Sequence, residues 1–174
     1  AEPGQTLLWL ALVTASRDGT VRIRLVATGE DALPPLTHPR AVESAEFSPD
    51  GSRVATVCAD QAARIWDATT GKLIGAPIRM EPGERNLAFS PDGKLLATGG
   101  TDNNARLWEI PSGNLKATLK GHVALATGVA FSPDGKTLAT GGFDRKVKLW
   151  NIATEQELAT LELLPGTCLS LRFS

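Results

Sequence analysis

A period of 42 residues runs through this chain and constrains its fold more than any other feature. Phe-Ser-Pro-Asp-Gly stands at 47–51, 89–93 and 131–135. Trp66, Trp108 and Trp150 keep the same step, as do Asp18, Asp60, Asp102 and Asp144. A chain built from such units cannot bury each unit's apolar face within that unit alone. Neighbouring units must stack.

The clearest copy, Gly121 to Thr160, reads as four short antiparallel strands. Thr127–Ser132 is the first, and Ser132-Pro133-Asp134-Gly135 turns the chain, with proline presetting φ and glycine closing the turn. Thr137–Thr140 is the second strand, and Gly141 to Arg145 a glycine-containing turn. Lys146–Asn151 is the third, with Val147 and Leu149 on one face and Lys148 and Trp150 on the other. Glu157–Leu161 is the fourth. The segments are short, β-rich and bounded by turn residues, which argues against helices. The same grammar predicts Val42–Phe47, Arg53–Cys58, Ala63–Asp67 and Leu73–Arg79, and then Leu95–Thr98 and Ala105–Glu109 within Asn86–Leu119.

A worn copy opens the chain. Leu10–Ala15, Thr20–Arg24 and the segment Asp31–Leu36 match strands two, three and four of a unit. Arg24 falls where the tryptophans stand. Cys168–Phe173 has the pattern of a first strand, with Phe173-Ser174 matching Phe131-Ser132. A lone first strand at one end and a sheet lacking its first strand at the other are complementary, and joining them would close a ring without exposed edges.

The 174 residues carry 18 Lys+Arg against 19 Asp+Glu, a net charge of −1. Such a balance gives no field to recruit nucleic acid or an anionic membrane surface. The longest apolar stretches, such as Leu7–Val13, fall far short of the roughly 20 residues of a membrane helix. Leu7–Val13 has no basic region before it and reads as a strand rather than a signal segment. Cys58 and Cys168 occupy different places in the repeat and read as core-filling thiols, not a disulfide. They fit a cytoplasmic setting.

These marks resemble the WD40 β-propeller family. They are Gly121-His122, Phe131-Ser132-Pro133-Asp134-Gly135, Leu138-Ala139-Thr140-Gly141-Gly142 and Asp144 followed by Lys148-Leu149-Trp150-Asn151. The resemblance covers nearly the whole chain and implies an all-β propeller of four 42-residue blades. The first blade is split between residues 7–36 and 168–174, and the others span about 42–79, 86–119 and 127–161. It also implies a structural hydrogen-bonded set in each blade, here His122, Thr140, Asp144 and Trp150, and again His38, Thr56, Asp60 and Trp66. In the third set Met80 stands in place of histidine, beside Thr98, Asp102 and Trp108. Propellers of this family typically have about seven blades, so three closures stand open. Two copies form an eight-bladed ring, a different chain or segment completes the ring, or four blades close alone. The first two are favoured, so a second chain is expected.

His122, Thr140 and Asp144 imitate a catalytic triad. The arrangement recurs at His38, Thr56 and Asp60, and recurrence in successive blades marks a structural role. Asp50, Asp92 and Asp134 sit between Pro and Gly, where aspartate bonds its own turn backbone. No metal or cofactor set is visible, and Gly99-Gly100 and Gly141-Gly142 lack the frame of a phosphate loop. The better functional candidates vary between blades: Arg17, Arg40, Glu43, Arg85 and Phe143, on the face where the family docks peptides and proteins. Glu84 beside Arg85 reads as an ordinary solvated charge. The resulting expectation is a non-catalytic protein- or peptide-binding scaffold or assembly unit. The alternative is a small-ligand-binding or hydrolytic enzyme that uses loop residues.

Overall fold

Fifteen short strands in four antiparallel sheets make up the computed structural model, which describes residues 11–162, Cys168 and residues 170–173. The opening sheet holds β1 (Ala11–Ala15), β2 (Thr20–Leu25) and β3 (Leu36–Thr37). The second holds β4 (Val42–Phe47), β5 (Arg53–Cys58), β6 (Ala62–Asp67) and β7 (Leu73–Arg79). The third holds β8 (Asn86–Phe89), β9 (Leu95–Gly99), β10 (Asn104–Glu109) and β11 (Leu115–Lys120). The fourth holds β12 (Ala126–Phe131), β13 (Thr137–Gly142), β14 (Lys146–Asn151) and β15 (Glu157–Glu162). Each sheet is a meander in chain order, so every strand pairs with its sequence neighbour. The expectations for Leu7–Leu10, Leu169 and Ser174 lie outside the described residues.

The Ser-Pro-Asp-Gly turns form as their residues dictate. Gly51, Gly93 and Gly135 take φ of 70°, 67° and 68°, the left-handed region that glycine enters without a Cβ clash. Ser48 donates to Asp50 at 2.6 Å, Ser90 to Asp92 at 2.7 Å and Ser132 to Asp134 at 2.6 Å. The same carboxylates accept from the amides of Ser52, Lys94 and Lys136. These aspartates are turn staples.

Two expectations need correction. Gly141 and Gly142 belong to strand β13, and the left-handed residue of the following turn is Arg145, with Gln61 and Asn103 in the matching places. The glycines serve close approach instead. A Cβ on Gly141 would stand 2.3 Å from Cys168 Sγ, and one on Gly99 2.6 Å from the Ala126 carbonyl oxygen. The opening sheet is also thinner than its pattern suggests. Only Leu36–Thr37 forms β3, with an isolated bridge from Arg24 to Asp31. Pro34 and Pro35 lack the amides a longer ladder needs.

Packing runs front to back. The front of the second, third and fourth sheets carries the tryptophan and an apolar residue of the second strand, and the back carries small, β-branched or leucine side chains. Val54 and Trp66 pack on Val21 and Ile23 of the opening sheet. Phe89, Leu96 and Trp108 pack on Ala55, Val57 and Ile65. Phe131, Leu138 and Trp150 pack on Ala97, Ala105 and Leu107. Both faces of a middle sheet are therefore buried, as in β10 of the third sheet, where four successive residues from Ala105 to Trp108 are buried. Cys168 and Leu171 cover part of the back of the fourth sheet, against Ala139, Val147 and Leu149. Both cysteines are free and buried.

One backbone bond repeats at the junctions. Val42 N donates to Ser16 O at 3.0 Å, Ala126 N to Gly100 O at 3.1 Å and Cys168 N to Gly142 O at 3.4 Å. Cys168 thus lies beside the fourth sheet as Val42 and Ala126 lie beside their preceding sheets. The inner strands β4, β8 and β12 and residues 170–173 line a common cavity of about 540 Å³.

Candidate functional site

Two of the polar sets at the sheet junctions were expected to match, with the third departing at Met80, and the structure makes all three different. In the fourth sheet the set is complete. Trp150 Nε1–H donates to Thr140 Oγ1 at 2.8 Å, His122 Nε2 lies 2.8 Å from that oxygen, and His122 Nδ1 lies 2.9 Å from Asp144 Oδ2. Tryptophan only donates and a carboxylate only accepts, so the protons run one way: Trp150 to Thr140, Thr140 to His122, His122 to Asp144. Asp144 also accepts from the amides of Val123 and Lys146. Burial pushes its carboxyl up, but the bonds from His122 and Val123 outweigh that and hold it below the usual range. Thr140 is fully buried with its oxygen already shared between two partners, so it is closed to any substrate.

In the second sheet Trp66 Nε1–H donates to Thr56 at 3.0 Å and His38 Nε2 lies 2.8 Å from the same oxygen. His38 and Asp60, however, do not bond. Asp60 takes Arg64 through Nη2 at 2.6 Å and Nη1 at 3.2 Å, and His38 Nδ1 is left buried with no partner. Burial, with the nearby Arg64 charge, lowers the His38 pKa. The cause is the residue two before the tryptophan. Arg64 has a forked guanidinium that reaches back four residues and captures the carboxylate in bidentate fashion. Lys148, in the matching place, offers a single ammonium, which bonds Glu157 at 2.9 Å and Thr160 at 2.8 Å and leaves Asp144 to the histidine.

The third sheet corrects the reading of Glu84. Its side chain is buried, not solvated. Thr98 Oγ1 donates to Glu84 Oε2 at 2.6 Å, Arg106 Nη1 donates to Oε1 at 2.9 Å, and Arg106 also pairs with Asp102. Trp108 Nε1–H donates to Thr98 at 2.9 Å. Burial pushes the Glu84 carboxyl up, against the opposing pull of Thr98 and Arg106. Met80, at the histidine place, has joined the apolar core instead. Glu84 thereby fills the role of the missing histidine from a point four residues later. The signal was present in the sequence: an unpaired Arg106 predicted for a buried third strand needs a carboxylate nearby.

The five candidate contact residues are all exposed: Arg17, Arg40, Glu43, Arg85 and Phe143. They lie at one edge of the sheets, on turns between second and third strands or on segments at the start of a first strand. Those turns and segments touch. His38 N donates to Gly19 O, Ala59 N to Ala41 O and Phe143 N to Leu125 O. Val123, beside Phe143 on the fourth sheet, is exposed as well. None of the four, Arg17, Arg40, Arg85 or Arg145, pairs with a carboxylate among the described residues. Among the described residues, no three His, Cys, Asp or Glu side chains gather as a metal site.

Sequence reasoning also missed Glu46. It faces the cavity lined by the inner strands, and burial raises its pKa to about 7, with Arg172 pulling the other way. A folded-state pKa above the unfolded one means the native chain holds its proton longer. Glu46 therefore costs stability as pH rises from about 4.5 to about 7. Asp50, held down to about 2 by Ser48 and Ser52, acts oppositely, and its stabilisation is lost as pH falls from 3.8 toward 2. Denaturant midpoints of Glu46→Gln and the parent chain should converge near pH 4.5 and separate by pH 7.5, with the variant more stable. Parallel pH profiles would refute the assignment.

Serial antiparallel meanders, stacked front to back and pinned in three sheets by a buried Trp–Thr hydrogen bond, define an all-β repeat protein. The chain matches the family model "WD domain, G-beta repeat" (WD40) over residues 35–67, 85–109 and 113–151, more than half its length. It therefore belongs to the WD40 family. A coronin-like protein of Saccharomyces cerevisiae is 40% identical over 62 residues, covering 36% of this chain and 9% of that protein.

Proposed function

We propose that this chain presents a docking face for an acidic protein or peptide segment with an apolar anchor. The observation that carries this reading is the loop edge. Asp60, Asp102 and Asp144 are consumed internally by Arg64, Arg106 and His122 and Asp18 accepts from Thr20, while Arg17, Arg40, Arg85 and Arg145 outnumber the exposed Glu43 there and pair with no carboxylate among the described residues. Phe143 and Val123 supply exposed apolar surface between these charges. Aromatic and arginine side chains are the usual anchors of such contacts.

The blades act within a larger ring. In this reading the ring is completed by a different chain or segment or, equally favoured, by a second copy forming an eight-bladed propeller. Cys168–Phe173 then supplies the first strand of the other copy's opening sheet. The edge position of β1 among the described residues and the bond from Cys168 N to Gly142 O support it.

The docking face is tested with a fluorescein-labelled nonapeptide of Asp and Glu around one leucine. Fluorescence anisotropy should show saturable binding that weakens with salt. The Arg17→Ala/Arg40→Ala/Arg85→Ala variant should lose at least tenfold in affinity. No binding by the parent chain, or equal binding by the variant, would refute this role for the face.

A further inference from the structure

The turn between the second and third strands places one residue in the left-handed region in every sheet. Gly19, Gln61, Asn103 and Arg145 hold that place, with φ of 86°, 65°, 68° and 63°. In the fourth sheet the turn is closed on both sides of it. Arg145 N donates to Gly142 O at 3.3 Å, and Asp144 Oδ1 accepts from Lys146 N at 3.1 Å. Glycine enters this region freely and asparagine with little strain, whereas another Cβ crowds the following carbonyl oxygen. The bonds that close the turn come from the backbone and from Asp144, and none of them calls for a guanidinium. Arginine at this place therefore strains the backbone without serving the turn.

The four turns also differ in what they carry outward. Their triplets are Arg17-Asp18-Gly19, Ala59-Asp60-Gln61, Thr101-Asp102-Asn103 and Phe143-Asp144-Arg145. Only the last flanks its aspartate with an aromatic and a cation. Phe143 is 42% exposed and Arg145 is exposed too. The Asp144 side chain between them is 2% exposed, turned inward onto His122 and the Val123 amide. The outward charge of this turn is thus the cation alone. The same bond to the Val123 amide, at 3.1 Å, draws Val123 up to the turn, and Phe143 N donates to Leu125 O of the same loop at 2.9 Å. Gln61 has the same backbone as Arg145 but no charge, and Ala59 offers no large apolar side chain, so the second sheet's turn is an internal control.

We infer that Phe143 and Arg145, with Val123 beside them, form the anchor of the docking face and take a protein segment in which an aspartate or glutamate adjoins a large apolar residue. This rests on the docking role proposed above and assigns its strongest contact to the fourth sheet rather than to Arg17, Arg40 or Arg85. Charge complementarity selects the occupant. The guanidinium has no carboxylate partner among the described residues, and its neighbour Asp144 is already spent on His122, so it favours an incoming carboxylate. An exposed aromatic beside an exposed valine favours an apolar side chain next to that carboxylate. The turn is closed before any partner arrives, so the Arg145 backbone surrenders little freedom on docking. Strain held at a residue its own turn does not need is characteristic of a binding site.

Arg145→Gly separates binding from folding. It should raise the urea midpoint, because the left-handed strain goes, and weaken the labelled Asp/Glu/Leu nonapeptide by about tenfold or more in fluorescence anisotropy. Gln61→Gly should raise the midpoint in the same way and leave affinity unchanged. Arg85→Ala should weaken the peptide distinctly less than Arg145→Gly. Phe143→Ala should cost more affinity for the nonapeptide than for one with alanine in place of its leucine, which ties the ring to the apolar side chain. A lowered midpoint in Arg145→Gly, or a loss of affinity no greater than that of Arg85→Ala, overturns the anchor and leaves the docking face standing. A parent chain that does not bind the nonapeptide overturns the face and the anchor together.

Discussion

Glu84→Ala is expected to destabilise the chain by about 3 kcal/mol, the lower end for breaking a buried ion pair, because Arg106 keeps Asp102. The carboxylate is fully enclosed and holds two groups at once, the Thr98 hydroxyl and the Arg106 guanidinium. Its removal leaves a buried cation with one partner fewer and a methyl-sized side chain in a polar hole. In a chain of this size a loss of that order lowers Tm by about 6–12 °C. Glu84→Gln keeps the shape and one acceptor oxygen, so it should cost distinctly less. Urea denaturation of the two variants decides the matter. If Glu84→Ala shifts the midpoint no more than an exposed change such as Arg85→Ala, the buried triad of Glu84, Arg106 and Asp102 is not holding the third sheet.

Thr140→Val is the second large effect, again about 3 kcal/mol. Valine matches threonine in volume, so packing against Leu138 and Trp150 survives. What goes is the oxygen that Trp150 Nε1–H donates to and that joins His122. Two buried polar groups are then unpaired, at roughly 1–3 kcal/mol each. The control lies within the same chain. Thr14 occupies the matching place in the opening sheet but is exposed, and Thr14→Val should change stability by less than about 0.5 kcal/mol, the usual size for surface substitutions. Equal losses at both places would show that the hydrogen-bond set contributes nothing beyond the threonine's β-propensity.

Strand positions were legible because turn chemistry and the 42-residue step agree. Proline before Asp-Gly stops one strand, and the pleat fixes which residues of the next face each neighbour. Val42–Phe47, Arg53–Cys58, Leu73–Arg79 and Lys146–Asn151 fall where the pattern puts them. Contacts that break the period were not legible. Glu84 is four residues out of phase with His38 and His122, so aligning repeats hides it. Asp60 keeps its place but changes partner, because the choice depends on Arg64 against Lys148, a difference that charge counting treats as none. Gly141 and Gly142 looked like turn residues, since their actual purpose, room for Cys168 and His122, is visible only once the next strand is in place. Glu46 gave no sign at all, as an acidic residue on an alternating strand ordinarily faces water.

The partner choice at Asp60 and Asp144 reaches beyond the core. Asp144 holds both His122 and the Val123 amide, so the loop leading into the fourth sheet is tethered at its base. Asp60 is turned inward to Arg64, and the loop leading into the second sheet has no carboxylate tether and is held by the His38–Thr56 link and by backbone bonds at His38 and Ala41. In the docking proposed above, a partner beside Val123 and Phe143 meets a loop with its carboxylate tether in place and one beside Arg40 meets a loop without it, so the first forfeits less entropy. One third-strand residue, Lys148 in one blade and Arg64 in another, thus sets the stiffness of a recognition loop from beneath it, so affinity on this face can evolve through exchanges no partner ever touches.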